Sequence, residues 1–285
     1  MGKTVDIDYL LDEVVTLPSL PSTVAHITAL VNDPDCSLAD VGKAISADPA
    51  IALKSLRLIN SAYYGVREKV TSIDQAVTLL GMKVIKNLVL TAAVFDTLQS
   101  GEETLLRHNV SCGIAMRVLS ESGAAKKVTI QHPEEAFTCG LLHDIGKIIL
   151  QQFMQEEYEE VSRACADGQT AWVTAEQEII GVDHAEIGSR LARSWKLTAE
   201  LASAIAGHHD LSKCEQPEFE GVAALVSVAD YMCYACGLPG KENTPVVVQP
   251  EVWEITGLTN ESIAGAMEMF FDSLSDIDEL VKLAT

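Results

Sequence analysis

Basic residues are scarce in this sequence, and their scarcity narrows the classes of partner. The chain has 20 lysines and arginines against 41 aspartates and glutamates, which gives a formal net charge of −21 at pH 7. Phosphate neutralisation by lysine and arginine supplies most of the affinity of non-specific nucleic-acid binding. We therefore expect no direct binding of nucleic acid or of an anionic membrane surface.

Long apolar runs and a disulfide pattern are missing as well. The longest apolar runs, such as residues 88–95, are shorter than the roughly 20 residues that a transmembrane helix needs. Asp6 and Asp8 interrupt the segment where a signal peptide would be apolar. The cysteines are scattered, and Cys233 and Cys236 have the spacing of helix packing, so we expect reduced thiols. These features predict a cytoplasmic protein.

The alternation of apolar and polar residues that marks strands is also absent, so the sequence predicts an all-α fold. Ser37 is placed to cap one helix, and Asp48 followed by Pro49 is placed to begin the next. The buried stripe predicted for this second helix is Ala52, Leu56 and Ile59. Further along, Gly81 is expected to end a short helix before a long apolar helix over residues 83–98.

Two breaks divide the chain into three expected segments. Residues 99–104 are polar and contain Gly101, and residues 238–250 contain three prolines and a glycine. We therefore predict an N-terminal helical lobe over residues 1–104, a helical core over residues 105–237 and a C-terminal helical extension over residues 238–285.

Metal-ligating side chains are the main clue to chemistry. Five of the seven histidines, with two aspartates, have spacings that allow them to converge on one cleft. These residues are His108, His143, Asp144, His184, His208, His209 and Asp230. Mixed imidazole and carboxylate ligands suit iron, manganese, nickel or zinc, so we expect one or two divalent first-row ions.

Several of these residues occupy positions that the pattern predicts to be buried. Asp144 lies in an apolar segment with Gly140 and Gly146, and a buried carboxylate needs a cation or strong donors. Lys147, three residues later, offers a structural ion pair without metal, and both alternatives stay open. Asp183 is assigned to helix capping and is left out of the site.

The segment 142–147, Leu-His-Asp-Ile-Gly-Lys, resembles the signature of the HD superfamily of metal-dependent phosphohydrolases. The resemblance implies one metal held by His108, His143, Asp144 and Asp230. It implies a second metal held by His184, His208 and His209, with Asp144 bridging. It also implies catalytic roles for Asp144 and Lys147, with the metals and Lys147 offsetting charge on a phosphoryl group that a metal-activated hydroxide attacks.

Further motifs, most of them in the first third of the chain, indicate a more specific family. Residues 17–21 (Leu-Pro-Ser-Leu-Pro), Asp48-Pro49, residues 60–65 (Asn-Ser-Ala-Tyr-Tyr-Gly) and residues 183–188 (Asp-His-Ala-Glu-Ile-Gly) are similar to the HDOD family, the HD-related output domain of bacterial signalling proteins. This similarity implies a multi-helix HD-like bundle with an N-terminal helical lobe. No Gly-Tyr-Pro follows His208-His209, so the cyclic di-nucleotide phosphodiesterase branch is not matched.

Three functions are consistent with this resemblance. We favour a non-enzymatic signalling output or scaffold module, because a phosphohydrolase would not need the N-terminal lobe. A metal-dependent phosphohydrolase or phosphodiesterase with a dinuclear site is the first alternative, and a metal or nucleotide sensor is the second. The expected partners are an upstream signalling domain or protein of receiver or kinase type and a phosphoester or nucleotide ligand.

Overall fold

The structure is a computed structural model of the 285-residue chain, and it describes residues 22–98, 103–130, 132–241 and 247–284. The acidic start of the chain, the motif at residues 17–21 and most of the break predicted at residues 99–104 lie outside the described residues, as do residues 242–246. Within the described ranges every regular element is helical, so the all-α prediction is confirmed.

The α-helices are labelled in chain order. They are α1 (Ser22–Val31), α2 (Leu38–Ser46), α3 (Pro49–Ile59), α4 (Ile73–Leu98), α5 (Glu103–Glu121), α6 (Pro133–Leu142), α7 (Ile145–Phe153), α8 (Gln155–Ala164), α9 (Trp172–Ile179), α10 (His184–Ser194), α11 (Ala199–Gly207), α12 (Glu220–Ala235), α13 (Pro250–Thr256), α14 (Asn260–Asp272) and α15 (Leu274–Ala284).

These helices form two compact units. The N-terminal unit contains the described residues among 22–98 and 273–284, and the histidine-bearing unit contains those among 103–272. Helix α15 packs against α3 and α4 within the N-terminal unit, although it is last in the chain. The three-segment division expected from the sequence stays a prediction, which this grouping does not test.

The predicted helix caps of the N-terminal unit are confirmed. The Ser37 hydroxyl accepts a hydrogen bond from the backbone N–H of Asp40, whose carboxylate accepts one in return from the Ser37 N–H. The Asp48 carboxylate accepts hydrogen bonds from the N–H groups of Ala50 and Ile51 at the start of α3. Side-chain oxygens therefore satisfy the free N–H groups at both helix starts.

The predicted buried stripe of α3 is partly wrong. The side chains that α3 buries are Ile51, Ser55, Leu58 and Ile59, so only Ile59 was assigned correctly. Ala52 and Leu56 are partly exposed. Apolar residues occur on nearly every side of this helix, and their spacing alone cannot select the face that packs.

Helix α4 is the one described helix that is long and apolar enough, by length and composition, to cross a membrane. Its backbone is not continuous, because Gly81 has a φ of 79° and a ψ of 168° that interrupt the helix. The predicted helix end at Gly81 is thus confirmed. Of the apolar window, 56% is buried in the protein, which is typical of a core helix.

In the histidine-bearing unit, α5 packs against α6 and α12, and α10 packs against α7 and α11. Helix α12 also contacts α11 and α13. All seven cysteines are free thiols, and Cys233 is buried on α12, as its helical spacing predicted. The five helices α5, α6, α10, α11 and α12 together carry or border the predicted ligands.

Candidate metal centre

Most of the predicted ligands lie where helices begin or end. His143 and Asp144 connect the end of α6 to the start of α7, and His184 is the first residue of α10. His208 and His209 follow directly after the end of α11. Adjacent side chains inside a helix diverge by roughly 100°, so a helix end is what allows His208 and His209 to face the same point.

Two glycines allow these helices to approach closely. A Cβ atom on Gly140 would overlap the backbone of Cys112 on α5, and a Cβ on Gly146 would overlap the carbonyl group of His184. Only glycine allows the backbones to come this close at both positions. Through these contacts the segment that carries His143 and Asp144 lies directly against the helices that carry His108 and His184.

One set of side chains, which we call the first ligand group, consists of His108, His143, Asp144 and Asp230. The Nε2 atoms of His108 and His143 are 3.3 Å apart. Nε2 of His108 lies 3.3 Å from Oδ1 of Asp230 and 3.6 Å from Oδ2 of Asp144. All four residues are at most 4% exposed, so these distances belong to a buried cluster.

The second ligand group consists of Asp144, His184, His208 and His209. Nε2 of His184 lies 3.4 Å from Nε2 of His208 and 3.0 Å from Nε2 of His209. Oδ1 of Asp144 lies 3.2 Å from Nε2 of His184 and 3.7 Å from Nε2 of His208. His209 is the one partly exposed member of this group. The structure therefore brings all seven predicted ligands together.

Asp144 belongs to both groups and offers one oxygen to each. Oδ2 faces His108 and His143, and Oδ1 faces His184 and His208. Oδ1 is buried and has no aligned hydrogen-bond donor, although an ionised carboxylate oxygen in a dry site needs a positive partner. A bridging carboxylate between two cations has this arrangement.

The Nδ1 atoms of three ligand imidazoles are bonded to backbone carbonyl groups. The Nδ1 atom of His108 donates a hydrogen bond to the Leu238 carbonyl, that of His143 to the Gly140 carbonyl and that of His208 to the Ile205 carbonyl. The nitrogen–oxygen distances are 2.6–2.7 Å. A carbonyl oxygen only accepts hydrogen bonds, so each of these Nδ1 atoms carries the proton. When such a ring is neutral, its Nε2 lone pair points into the centre, which is the tautomer that a metal ligand requires.

Nearby carboxylates raise the pKa of two histidines. Burial opposes the charged form of His108, but its hydrogen bond to Asp230 and the charges of Asp230 and Asp144 raise its pKa to about 10. Burial also opposes the charged form of His184, and the carboxylates of Glu176 and Asp144 raise its pKa to about 10. Without metal, these two imidazoles hold protons where a cation would otherwise offset the carboxylates.

Other members of the centre have lowered pKa values. Burial, with the neighbouring imidazoles of His208 and His108, lowers the pKa of His143 to about 3. Burial opposes ionisation of Asp144, but the neighbouring His143 imidazole and the Lys147 ammonium group hold its pKa well below the usual range. The carboxylate is therefore ionised and His143 is neutral at neutral pH, as metal ligands must be.

Lys147, predicted as a catalytic residue, contacts Asp144 directly. Its ammonium group is 2.7 Å from Oδ2 of Asp144, and the lysine side chain is buried. The Lys147–Asp144 ion pair, which the sequence analysis gave as an alternative to metal binding, is thus present. The pair occupies Oδ2 and leaves Oδ1 of Asp144 facing the second ligand group, so the pair and a metal ion are compatible.

Glu176 is the functional residue that the sequence reasoning missed. Its carboxylate is fully buried on α9, and Oε2 lies 2.6 Å from Nδ1 of His184. A signal existed, because Glu176 is four residues after Trp172 and follows Ala175, on a helix face that is otherwise apolar. Glutamate in such a stripe needs a buried partner.

Comparison with known proteins adds three findings. The profile of the HDOD domain matches residues 17–211. An uncharacterised protein of Treponema pallidum (strain Nichols) is 26% identical over 225 residues, which are 78% of this chain and 43% of that protein. The chain therefore spans less than half the length of this curated relative.

Solved structures show the same fold. The crystal structure of an inferred phosphohydrolase from Shewanella amazonensis SB2B is 27% identical with a TM-score of 0.72, and the match covers 97% of this chain and 98% of that chain. An HDOD domain protein of unknown function from Geobacter sulfurreducens is 24% identical with a TM-score of 0.74, and the match covers 97% of this chain and 96% of that chain. The second similarity supports the fold alone.

Proposed function

Since this chain belongs to the HDOD domain family, we propose that it is a signalling protein whose buried centre binds two divalent first-row metal ions and hydrolyses a phosphoester. The observation that carries this proposal is the position of Asp144. One carboxylate oxygen faces each ligand group, no hydrogen-bond donor is aligned with Oδ1, and imidazole Nε2 atoms converge around both oxygens.

The donor set fits first-row divalent ions, iron, manganese, nickel or zinc, better than magnesium or calcium, which prefer all-oxygen ligands. The first ligand group would hold one ion and the second ligand group the other, with Asp144 shared. Bound ions of this kind supply a hydroxide nucleophile at neutral pH and offset charge on the phosphoryl group.

The chain's own residues would prepare the centre for that chemistry. Lys147 holds Asp144 in place through its ion pair, while the Nδ1 contacts of His108, His143 and His208 fix each ring with Nε2 inward. Partly exposed His209 lies on the side from which a phosphoester would approach. The role of Lys147 in offsetting phosphoryl charge stays a prediction.

The reaction class has one further support. The Shewanella amazonensis protein, an inferred phosphohydrolase, is 27% identical to this chain, and the match covers 97% of this chain. We therefore carry phosphoester hydrolysis, and no particular substrate, over to this chain as part of the proposal. A cytoplasmic location and an upstream partner of receiver or kinase type also remain proposals.

A second candidate is an output module or sensor that binds metal without turnover. Its support is the burial of the centre, because six of the seven ligands are at most 4% exposed and only His209 reaches the surface. A substrate needs access that a stably bound ion does not. Burial of the ligands is therefore the observation that favours metal binding without hydrolysis of a substrate.

The test measures metal and hydrolysis together. Protein purified without chelator is analysed for iron, manganese, nickel and zinc, and is then assayed with bis(p-nitrophenyl) phosphate. We expect two ions per chain and hydrolysis that stops after chelation. Asp144→Asn should lose both ions and all hydrolysis, because it removes the charge that both positions share.

The control is His26→Ala, which removes an exposed histidine of the N-terminal unit. It should keep metal and activity. Two ions without hydrolysis would replace the proposal with the second candidate. Protein that stays metal-free after incubation with each ion would refute both candidates.

A further inference from the structure

A buried carboxylate behind His184 distinguishes the second ligand group from the first. Oε2 of Glu176 accepts hydrogen bonds from Nδ1 of His184 at 2.6 Å and from the backbone N–H of His184 at 2.9 Å. Oε1 accepts a hydrogen bond from the indole N–H of Trp172 at 2.9 Å. Both oxygens of Glu176 are therefore satisfied, and neither is available to bind metal directly.

The chain is folded so that Glu176 and His184, eight residues apart, meet. Helix α9 ends at Ile179, and the N–H groups of Ile180 and Gly181 both bond to the Glu176 carbonyl. Gly181 has a φ of 92°, a conformation that favours glycine, and it turns the chain back toward α10. The contact is therefore built into the connection between the two helices.

Trp172 fixes the other side of the carboxylate. Its ring is buried and meets the Tyr158 ring edge-on, with the ring centroids 5.7 Å apart. This packing limits the positions that the indole N–H can take. Glu176 is thus held between a rigid aromatic donor and the ligand that it orients.

The first ligand group has no equivalent carboxylate on Nδ1. The Nδ1 atoms of His108 and His143 bond to neutral carbonyl groups, and so does that of His208 in the second group. Of these four rings, His184 alone has a carboxylate partner on Nδ1. Carboxylate–histidine–metal arrangements orient the ring and strengthen its donation to the metal, and their loss typically costs about 10–100-fold in affinity.

We infer that Glu176 is a positioning residue that acts through His184 and makes the two metal positions unequal. The position formed by Asp144, His184, His208 and His209 binds its ion more tightly than the position formed by the first ligand group. This inference rests on the proposed metal binding, and it does not depend on whether the centre turns over a substrate.

The test is a stepwise titration of chelator-treated full-length protein with Mn²⁺ and, separately, with Zn²⁺, followed by calorimetry. Wild-type protein should show a tighter and a weaker step. Glu176→Gln should weaken the tighter step by about 10–100-fold and leave the other within about 3-fold. Glutamine removes the charge, and its amide cannot accept from both Trp172 and His184 with the same geometry.

Glu178→Gln is the matched control, because Glu178 is exposed on the same helix, and both steps should match wild type. Trp172→Phe is the second variant. It keeps the carboxylate but removes one donor to it, so the tighter step should weaken by less than in Glu176→Gln. If Glu176→Gln does not fold, Trp172→Phe against wild type decides the question.

A general structural role would weaken both steps together, and that result would overturn the inference. Two unchanged steps in Glu176→Gln would also overturn it while leaving the proposed metal binding intact. No binding by wild-type protein would refute the proposed function and this inference at once. Nitrogen NMR of metal-free protein gives an independent check, because the His184 ring signals should shift in Glu176→Gln and not in Glu178→Gln.

Discussion

Asp144 and Glu176 flank the same imidazole, with Oδ1 of Asp144 3.2 Å from Nε2 of His184 and Oε2 of Glu176 2.6 Å from Nδ1. All three side chains are fully buried. A ring between two buried carboxylates is stabilised either by a proton, as imidazolium, or by a metal ion on Nε2. The centre can therefore hold protons or metal, and the choice between them should be visible in stability.

Metal-free protein should be most stable near pH 6.5 and should lose stability as the pH rises toward 10. The pKa values of His108 and His184 are raised from 6.5 to about 10, so the folded state binds more protons than the unfolded state in this window. The free energy of unfolding therefore falls between pH 6.5 and pH 10, by up to about 1.4 kcal/mol per pH unit for each histidine.

Below pH 6.5 the direction reverses. The pKa of His143 is lowered to about 3, so the unfolded state takes up this proton first and acid destabilises the fold. Thermal unfolding of chelator-treated protein between pH 4 and pH 10, followed by circular dichroism, measures both slopes. A flat profile from pH 6.5 to pH 10 would contradict the prediction.

Lys147→Met should destabilise metal-free protein strongly and metal-loaded protein less. Removing one partner of a buried ion pair leaves the charge of Asp144 uncompensated, which typically costs about 3–5 kcal/mol. A bound cation beside Asp144 would restore part of the compensation. Urea unfolding with and without added Mn²⁺ measures the two losses.

Lys43→Met is the control, because Lys43 also lies three residues after its aspartate, Asp40. The Lys43 side chain is 79% exposed and the Asp40 side chain 50% exposed, and the Nζ–Oδ1 distance between them is 4.0 Å. Exposed pairs contribute about 0–1 kcal/mol, so the control should be close to wild type with or without metal. Equal losses in Lys147→Met with and without Mn²⁺ would show that no cation reaches Asp144.

The sequence was sufficient to predict which side chains meet at the centre, because their types and local positions are strongly constrained. His108 shares a helix face with Cys112 and Ala115, and all three are buried, as the four- and seven-residue spacings indicated. Asp183 accepts a hydrogen bond from the N–H of Glu186, so its assignment to helix capping is confirmed. Capping and burial are local properties, which a single sequence records well.

Contacts set by loop geometry were not predictable in the same way. Residues 176 and 184 lie on different helices, so their meeting depends on the turn at Gly181 and not on a helical spacing. The same limit explains α3, where Ile51 and Leu58 pack although Ala52 and Leu56 fit the period equally well. Apolar spacing identifies a helix, but neighbouring helices decide which face is buried.

Gly146→Ala should destabilise the protein severely. A Cβ at this position would overlap the His184 carbonyl, and backbone cannot move aside as a flexible side chain can. Forcing α7 and α10 apart should lower the free energy of unfolding by about 1–3 kcal/mol or more, as in other overpacked cores. It should also separate Asp144 from His184. Gly265→Ala is the control, because no atom lies within 4 Å of its Cβ and helix propensity favours alanine by about 1 kcal/mol. Similar unfolding temperatures for the two variants would contradict the close approach.

Gly240→Ala should weaken metal binding at the first ligand group. A Cβ at Gly240 would lie 3.3 Å from Cβ and Cγ of His108, whose Nδ1 is bonded to the nearby Leu238 carbonyl. The added methyl group would push the ring away from His143 and Asp230. Gly237→Ala is the matched control, because Gly237 also has a positive φ, 75° against 65°, but no atom lies within 4 Å of its Cβ.

Both variants carry similar backbone strain, of about 1 kcal/mol, so their unfolding free energies should fall by similar amounts. Only Gly240→Ala should alter binding, and in stepwise Mn²⁺ titration the change should fall on the step that Glu176→Gln leaves unaffected. If the two glycine variants bind metal identically, His108 is not held by the segment that contains Gly240. If Gly240→Ala weakens both steps equally, the two ligand groups do not act as separate positions.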